Sequence, residues 1–313
     1  MQPLASRLVG QQGIAAFNAE TRERRSVKFE AALTVEEAGS LFDLARLQHV
    51  IAGPGAPATN TDIYRIENLM RLSDIIRGSG RTAVEVAGDL LKIGCTLRFR
   101  DADQFDTLLA GFAAEVAETY AAETQVNVYL TPARQNGFPP HFDNSDSFIV
   151  QVAGSKDWLI HPTYTDMQVL PVSDADWDPL RYSPVGPAEA HVLRVGDVLY
   201  MPRGVMHSAR CRDEESMHLT VSLRPMTLLV VLERELRRLA LEDVALRRRA
   251  AWSMEGGPEE AKALRRELRR LMGGLVDKVD PAAAIEEQRK LLSRARAEPR
   301  DLFRDAVASL KAS

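Results

Sequence analysis

Three side chains in this sequence have the types and spacing of a metal-binding set. His141 and Asp143 stand two residues apart, and His207 answers them far downstream. On an extended strand, residues two apart project to the same face, so His141 and Asp143 point together into one interior. Two imidazoles and one carboxylate hold one face of an iron(II) ion and leave the other face open to substrate and oxygen. A lone His-x-Asp is a common pattern, so its weight depends on the elements around it.

Those elements read as a strand-rich barrel. Pro139-Pro140 stiffens the approach to His141 and blocks regular pairing there, because proline lacks an N–H. Ser147 to Val152 reads as a strand, Ala153 to Lys156 as a turn, and Asp157 to His161 as the return strand. Gly196-Asp197 is a turn, Val198 to Met201 a short strand, and Pro202-Arg203-Gly204 another turn. His207 therefore falls just beyond a strand end, at the mouth of the barrel. Asn127 and Tyr129 share one parity, opposite Val126, Val128 and Leu130. A closing strand, His218 to Leu223, carries Thr220 and Ser222.

The segment Gly196 to His207 fits the second cupin motif: Gly, five residues, Pro, one, Gly, two, His. The run from Asn127-Val-Tyr129-Leu-Thr-Pro through His141-x-Asp143 to Gly154-x-Lys156-x-Trp158 resembles the JmjC-type ribosomal oxygenases. The resemblance covers roughly residues 125 to 225. It implies a double-stranded β-helix that uses Fe(II), 2-oxoglutarate and O2 to hydroxylate a histidine or arginine side chain, at Cβ, in a ribosomal protein. His141, Asp143 and His207 match the metal ligands. Lys156 matches the basic residue that pairs with the far carboxylate of 2-oxoglutarate, a role suited to a buried cation. Lysine there resembles the histidine hydroxylases, whereas the bacterial arginine hydroxylases carry arginine. Asn127, Tyr129, Thr220 and Ser222 match polar positions beside the cosubstrate and substrate. The family also implies dimerisation through helices that follow the barrel.

Composition sets wider bounds. The chain has 313 residues, of which 45% are hydrophobic, and a net charge of −4. No run of eighteen apolar residues marks a membrane span. The first residues lack an apolar signal core, and two cysteines, Cys95 and Cys211, make no disulfide framework. A cytoplasmic location is the expectation. Met226 to Ser313 hold 19 basic and 15 acidic residues, against 21 and 29 in the first 225. That field is too weak to argue for nucleic acid; an acidic front half favours a basic peptide or protein substrate.

The expected fold class is a mainly β core with helices (α+β). Residues 1–125 form an α/β part packing on the barrel, 126–225 the JmjC/cupin catalytic core, and 226–313 a helical dimerisation and C-terminal region. Thr34-Val-Glu-Glu37 is a capping box that opens a helix over Ala38 to Leu47. Phe105, Leu108, Leu109, Phe112, Val116 and Tyr120 recur at helical spacing and make a packing stripe. Thr163 to Ala190, rich in Pro, Asp and Tyr, is a long loop placed to border the substrate mouth. Helices are expected over Leu228 to Ala251, Glu259 to Leu271 and Pro281 to Ala297, as a bundle rather than a winged helix.

Other functions fit parts of the pattern. The same chemistry on a small peptide precursor suits a chain that departs from the family at both ends. A non-oxygenase metal-binding cupin, either isomerase or ligand sensor, has no need of Lys156. A JmjC lysine demethylase shares the superfamily.

Overall fold

The computed structural model describes residues 3–53, 58–65, 68–162, 178, 183–184, 186–224, 226–250 and 257–294. The chain divides into two compact units, Met1–Pro225 and Met226–Ser313.

The strands of the first unit are β1 (Val27–Phe29), β2 (Thr61–Arg65), β3 (Asn68–Arg71), β4 (Thr96–Phe99), β5 (Glu123–Thr131), β6 (Asp146–Ala153), β7 (Ser155–Ile160), β8 (Glu189–Arg194), β9 (Val198–Met201), β10 (His207–Cys211) and β11 (Ser216–Arg224). Its helices are α1 (Leu4–Arg7), α2 (Gly13–Ala16), α3 (Val35–Leu41), α4 (Leu44–Ala52), α5 (Leu72–Ile76), α6 (Ala83–Lys92) and α7 (Thr107–Tyr120). The second unit contributes α8 (Leu228–Glu242), α9 (Pro258–Leu275) and α10 (Pro281–Arg294).

Two antiparallel sheets make a double-stranded β-helix. The larger runs β1-β9-β6-β11-β5-β4-β2-β3, and the smaller runs β10-β7-β8. Ile149, Leu199 and Met201 of the large sheet meet Trp158, Ile160 and Leu193 of the small one in an inner core. The other face of the large sheet carries Val126, Val128, Leu219 and Val221 against the helices, including Leu109, Phe112 and Val116 of α7. Each such fully buried side chain contributes about 1.5–3 kcal/mol relative to exposure. Alternation along β5 and β11 thus divides the polar interior of the barrel from an apolar outer layer.

Several local features differ from the sequence expectation. The stretch before the core supplies β1 to one edge of the large sheet and β4-β2-β3 to the other, so it builds the sheet as well as covering it. The capping box at Thr34 is present, but its helix stops at Leu41. Phe42 is extended, and Asp43 accepts from the Arg46 N–H to start α4 as a separate helix. Leu108 in the expected stripe is exposed, because α7 starts at Thr107 with Asp106 as its cap and turns Leu108 outward. The turn before Lys156 is tighter than expected. Gly154 takes it at φ +61°, with the Glu215 carbonyl where a Cβ would sit, and Lys156 is already in β7. In the second unit, α8 ends at Glu242, where Asp243 caps a new turn, and α9 continues to Leu275. The expected mouth loop, residues 163–177, 179–182 and 185 in particular, lies outside the described residues.

Candidate metal centre

The metal set is assembled by backbone pairing. His207 opens β10, and its N–H donates to the His141 carbonyl at 2.8 Å while the His141 N–H returns a bond at 3.0 Å. Upstream, the Gly137 N–H bonds the Ala209 carbonyl at 2.9 Å. Pro139 and Pro140 fall between these two contacts, so the ladder breaks there and resumes at the ligand. The cross-strand pair brings the two imidazole centroids to 4.4 Å. The Gly204 N–H donates to the Asp143 carbonyl at 2.8 Å, which ties the aspartate to the β9–β10 turn.

The donor atoms are correctly presented. One atom each from His141, Asp143 and His207 lies within 4.8 Å of the others, with His207 Nε2 3.8 Å from Asp143 Oδ2. His141 Nδ1 contacts the Pro139 carbonyl at 2.7 Å, and His207 Nδ1 contacts the Val205 carbonyl at 2.9 Å. A carbonyl only accepts, so each Nδ1 carries the proton and each Nε2 keeps its lone pair for a metal. Burial, and then the neighbouring His141, hold the His207 pKa below the usual histidine value, which keeps that ring neutral. Neutral imidazoles, a carboxylate and second-sphere carbonyls form a set that suits a divalent iron.

A different group stands at the other end of the same cavity. Lys156 is 1% exposed, and its Nζ donates to Thr131 Oγ1 at 2.9 Å. Thr96 Oγ1 meets the same hydroxyl at 3.2 Å. Among the described residues no carboxylate lies within ion-pair distance of Lys156. Burial pushes its pKa down to about 8. A single buried ammonium with one hydroxyl partner has unused donors and an uncompensated charge, which an anionic ligand would satisfy. Cys211 lies directly opposite Lys156, and burial raises its thiol pKa, so it stays a neutral neighbour.

The cavity that joins the two ends is lined by the three metal-set residues, Lys156, Tyr129 and Thr220. Phe138, Trp158 and His218 form its aromatic sides. Tyr129 stacks on His218 at 4.8 Å and meets Phe138 edge-on at 5.9 Å. Burial raises the Tyr129 pKa and keeps the phenol protonated. Trp158 Nε1 and His218 Nδ1 are buried and have no hydrogen-bond partner among the described residues. These orphan atoms fit a cavity that receives a polar molecule.

Not every position singled out in the sequence reaches this cavity. Asn127 shares the inward parity, but its Oδ1 accepts from the Asp101 backbone N–H at 3.0 Å, and it is not among the lining residues. Ser222 pairs with Gln125 and Ser147 farther along β11 and is also absent from the lining. Thr131 is not among the residues singled out in the sequence, yet it continues the Asn127, Tyr129 parity by one more step. Thr96 enters through the β4–β5 pairing, which no local pattern reveals.

Residues 94–230 match the family model described as JmjC domain. The chain is 36% identical over 146 residues to ribosomal oxygenase 1 of Gallus gallus, covering 46% of this chain and 24% of that protein. It is 30% identical over 166 residues to the bifunctional lysine-specific demethylase and histidyl-hydroxylase NO66 of Drosophila melanogaster, covering 52% and 25%. The matched region thus spans about a quarter of the length of these relatives. Among solved structures, YcfD, a ribosomal oxygenase from Escherichia coli in complex with cobalt and succinic acid, superposes with a TM-score of 0.54. It shares 13% identity, covers 88% of this chain and 68% of its own, and supports the fold.

Proposed function

We propose that this chain, whose residues 94–230 match the JmjC domain model and resemble ribosomal oxygenase 1, is an iron(II)- and 2-oxoglutarate-dependent hydroxylase of a polypeptide side chain. The target is a histidine or arginine, at Cβ, in a ribosomal protein or a small peptide. The observation that carries this reading is the pairing, in one cavity, of a two-histidine, one-carboxylate set with a buried ammonium that lacks an anion. When bound, iron(II) with 2-oxoglutarate and oxygen supplies the oxidising power to turn a C–H into a C–OH, and the cosubstrate leaves as succinate and carbon dioxide.

The chain's own residues bind, orient and exclude. His141, Asp143 and His207 would hold the metal. Lys156, steadied by Thr131, would take the far carboxylate of the dicarboxylate in a charge-assisted bond. Tyr129 and Thr220 offer hydroxyls along the cavity, and Phe138, Trp158 and His218 wall it against bulk water. A non-oxygenase cupin has no use for Lys156 in that position. Lys156 also favours a histidine target, by the family pattern noted above.

We further propose that the second unit supports a homodimer. Leu228, Leu229, Leu232 and Leu236 on α8 are 41–83% exposed, and α9 presents Leu268 and Met272 at 51% and 56%. Such apolar faces favour burial against another chain. Light scattering of the purified protein tests this, and a monomer at micromolar concentration overturns it.

The main test incubates the protein with iron(II), 2-oxoglutarate and candidate ribosomal proteins or peptides. Mass spectrometry should show the gain of one oxygen on a histidine or arginine, with matching succinate. Loss of methyl groups from lysine instead would move the reading to demethylation.

A further inference from the structure

The inward row of the large sheet does not stop at the cavity. The register sets His218 beside Tyr129, Tyr129 beside Arg98, Arg98 beside Asp62, and Asp62 beside Arg71. Directly opposed residues share a face of an antiparallel sheet. One row therefore runs from the metal cavity across β5, β4 and β2 to the edge strand β3. The small sheet covers the cavity end, and a groove of about 540 Å³ lies over the outer end.

The groove's charge is lopsided. Arg71, Arg98 and Arg100 line it together with Asp62 and Asp74. Asp62 is buried, with Arg98 at 2.6 Å and Arg100 at 2.9 Å, so two guanidiniums already neutralise it. Asp74 pairs with Arg77 at 3.0 Å. Arg71 is exposed and, among the described residues, has no carboxylate within ion-pair distance. Beside the stacked pair Tyr64 and Phe138, a second groove carries Arg65 and Arg210, the latter paired with Asp157 at 3.5 Å, and its lining among the described residues holds no carboxylate. This concentration of guanidinium stands in a region of the chain whose total charge is acidic. Arginine forks match carboxylates in planar pairs, and Leu69, 54% exposed, offers apolar contact between them.

We propose that β3 and the inward faces of β2 and β4 form a docking ledge for an acidic polypeptide segment. The ledge holds the substrate while a neighbouring residue enters the metal cavity. This rests on the hydroxylase reading and specifies the flanking chemistry of its substrate. It also reverses, at the site itself, the basic partner that overall charge suggested.

The experiment is fluorescence polarisation on the whole protein with two labelled synthetic peptides, without oxygen or 2-oxoglutarate. Both centre on histidine; one is flanked by glutamates and the other by lysines. The acidic peptide should bind at least about tenfold more tightly, and added salt should narrow the gap. Arg71→Glu should weaken it about fivefold or more, while Arg71→Lys keeps most of the affinity. Thermal melts of both variants check the fold, and Arg100→Glu gives a second probe. Equal or tighter binding of the lysine peptide overturns the ledge, as does indifference to both charge reversals. Displacement of the acidic peptide by lower concentrations of single-stranded RNA also overturns it, in favour of a nucleic-acid surface. Because binding is read without turnover, acidic selectivity with no metal-dependent hydroxylation would sink the hydroxylase reading and leave the ledge standing. Hydroxylation with no charge preference would do the reverse.

Discussion

The metal end of the cavity and its cation end rest on the same small sheet, yet they meet opposite electrostatic conditions. His207 on β10 is buried, neutral and satisfied: its Nδ1–H has a carbonyl, and its lone pair faces His141 and Asp143. Lys156 on β7 is equally buried but carries a charge with one hydroxyl for company. A neutral ligand set can wait in low dielectric at little cost, whereas an isolated ammonium cannot. The first end is thus preorganised for a metal. The second is a standing deficit that only an incoming anion removes.

The largest effect follows from breaking the first end. His141→Ala or Asp143→Ala removes one of three donors and should lower metal-dependent succinate formation on the order of a thousandfold or more. Iron content after dialysis should fall in parallel. Turnover that persists in either variant would dissolve the distinction between the two ends.

The second end should respond in two opposed directions. Lys156→Ala should raise the KM for 2-oxoglutarate about 10–100-fold, the equivalent of about 1.5–3 kcal/mol for a lost charge-assisted bond. The same position should gain stability without cosubstrate. Lys156→Met removes an uncompensated buried charge and should raise the Tm of the ligand-free protein, by the equivalent of about 1–4 kcal/mol. Calorimetry of both proteins checks this. A Tm that falls would mean that the ammonium has a partner already.

The pH dependence carries the same contrast. Lys156 has its pKa pushed down to about 8, below the ordinary lysine value of 10.5. Between those values the unfolded chain binds the extra proton and the folded one does not, so this group's contribution to stability rises with pH there. Its function runs the other way. Above about pH 8 the free protein loses the ammonium, and kcat/KM for 2-oxoglutarate should drop up to about tenfold per pH unit. Bound cosubstrate favours the charged form, so kcat should hold to higher pH than kcat/KM. The Lys156→Ala variant should lack the alkaline limb.

The two ends were also unequally legible in the sequence. The metal end is written in short-range spacing, His141-x-Asp143 and the Gly204 and Pro202 that frame His207, although the expected strand does not form: His141 makes a single bridge to His207 and Asp143 lies in the loop beyond it. Lys156 could be placed only by resemblance, since a lysine after a strand turn is otherwise unremarked. Its partner Thr131 follows from β5 parity, but Thr96 requires the long-range β4–β5 pairing. The same limit explains why strands β1 to β4 read as packing elements rather than sheet edges. Strand partnership is a tertiary property, and one chain's alternation does not name its neighbour. Asn127 illustrates the converse: parity aimed it inward correctly, but only the structure reveals that the Asp101 backbone occupies its side chain.

The smallest expected effect is also the finest probe of the difference. Thr131→Val keeps the side-chain shape but removes the hydroxyl that accepts from Lys156 and meets Thr96. If the ammonium waits for an anion, the hydroxyl's role is to aim it. The KM for 2-oxoglutarate should then rise about 2–10-fold, in line with about 0.5–1.5 kcal/mol for one hydrogen bond, while metal affinity stays unchanged. Without cosubstrate, the ammonium loses its only side-chain partner among the described residues, so the Tm should fall. The double variant Thr131→Val, Lys156→Met should recover that loss, because the charge that needed the hydroxyl is gone. A double variant no more stable than Thr131→Val alone would show that the hydroxyl supports the sheet through Thr96 and not the cation. The cation end would then owe its geometry to packing, as the metal end owes its own to backbone pairing.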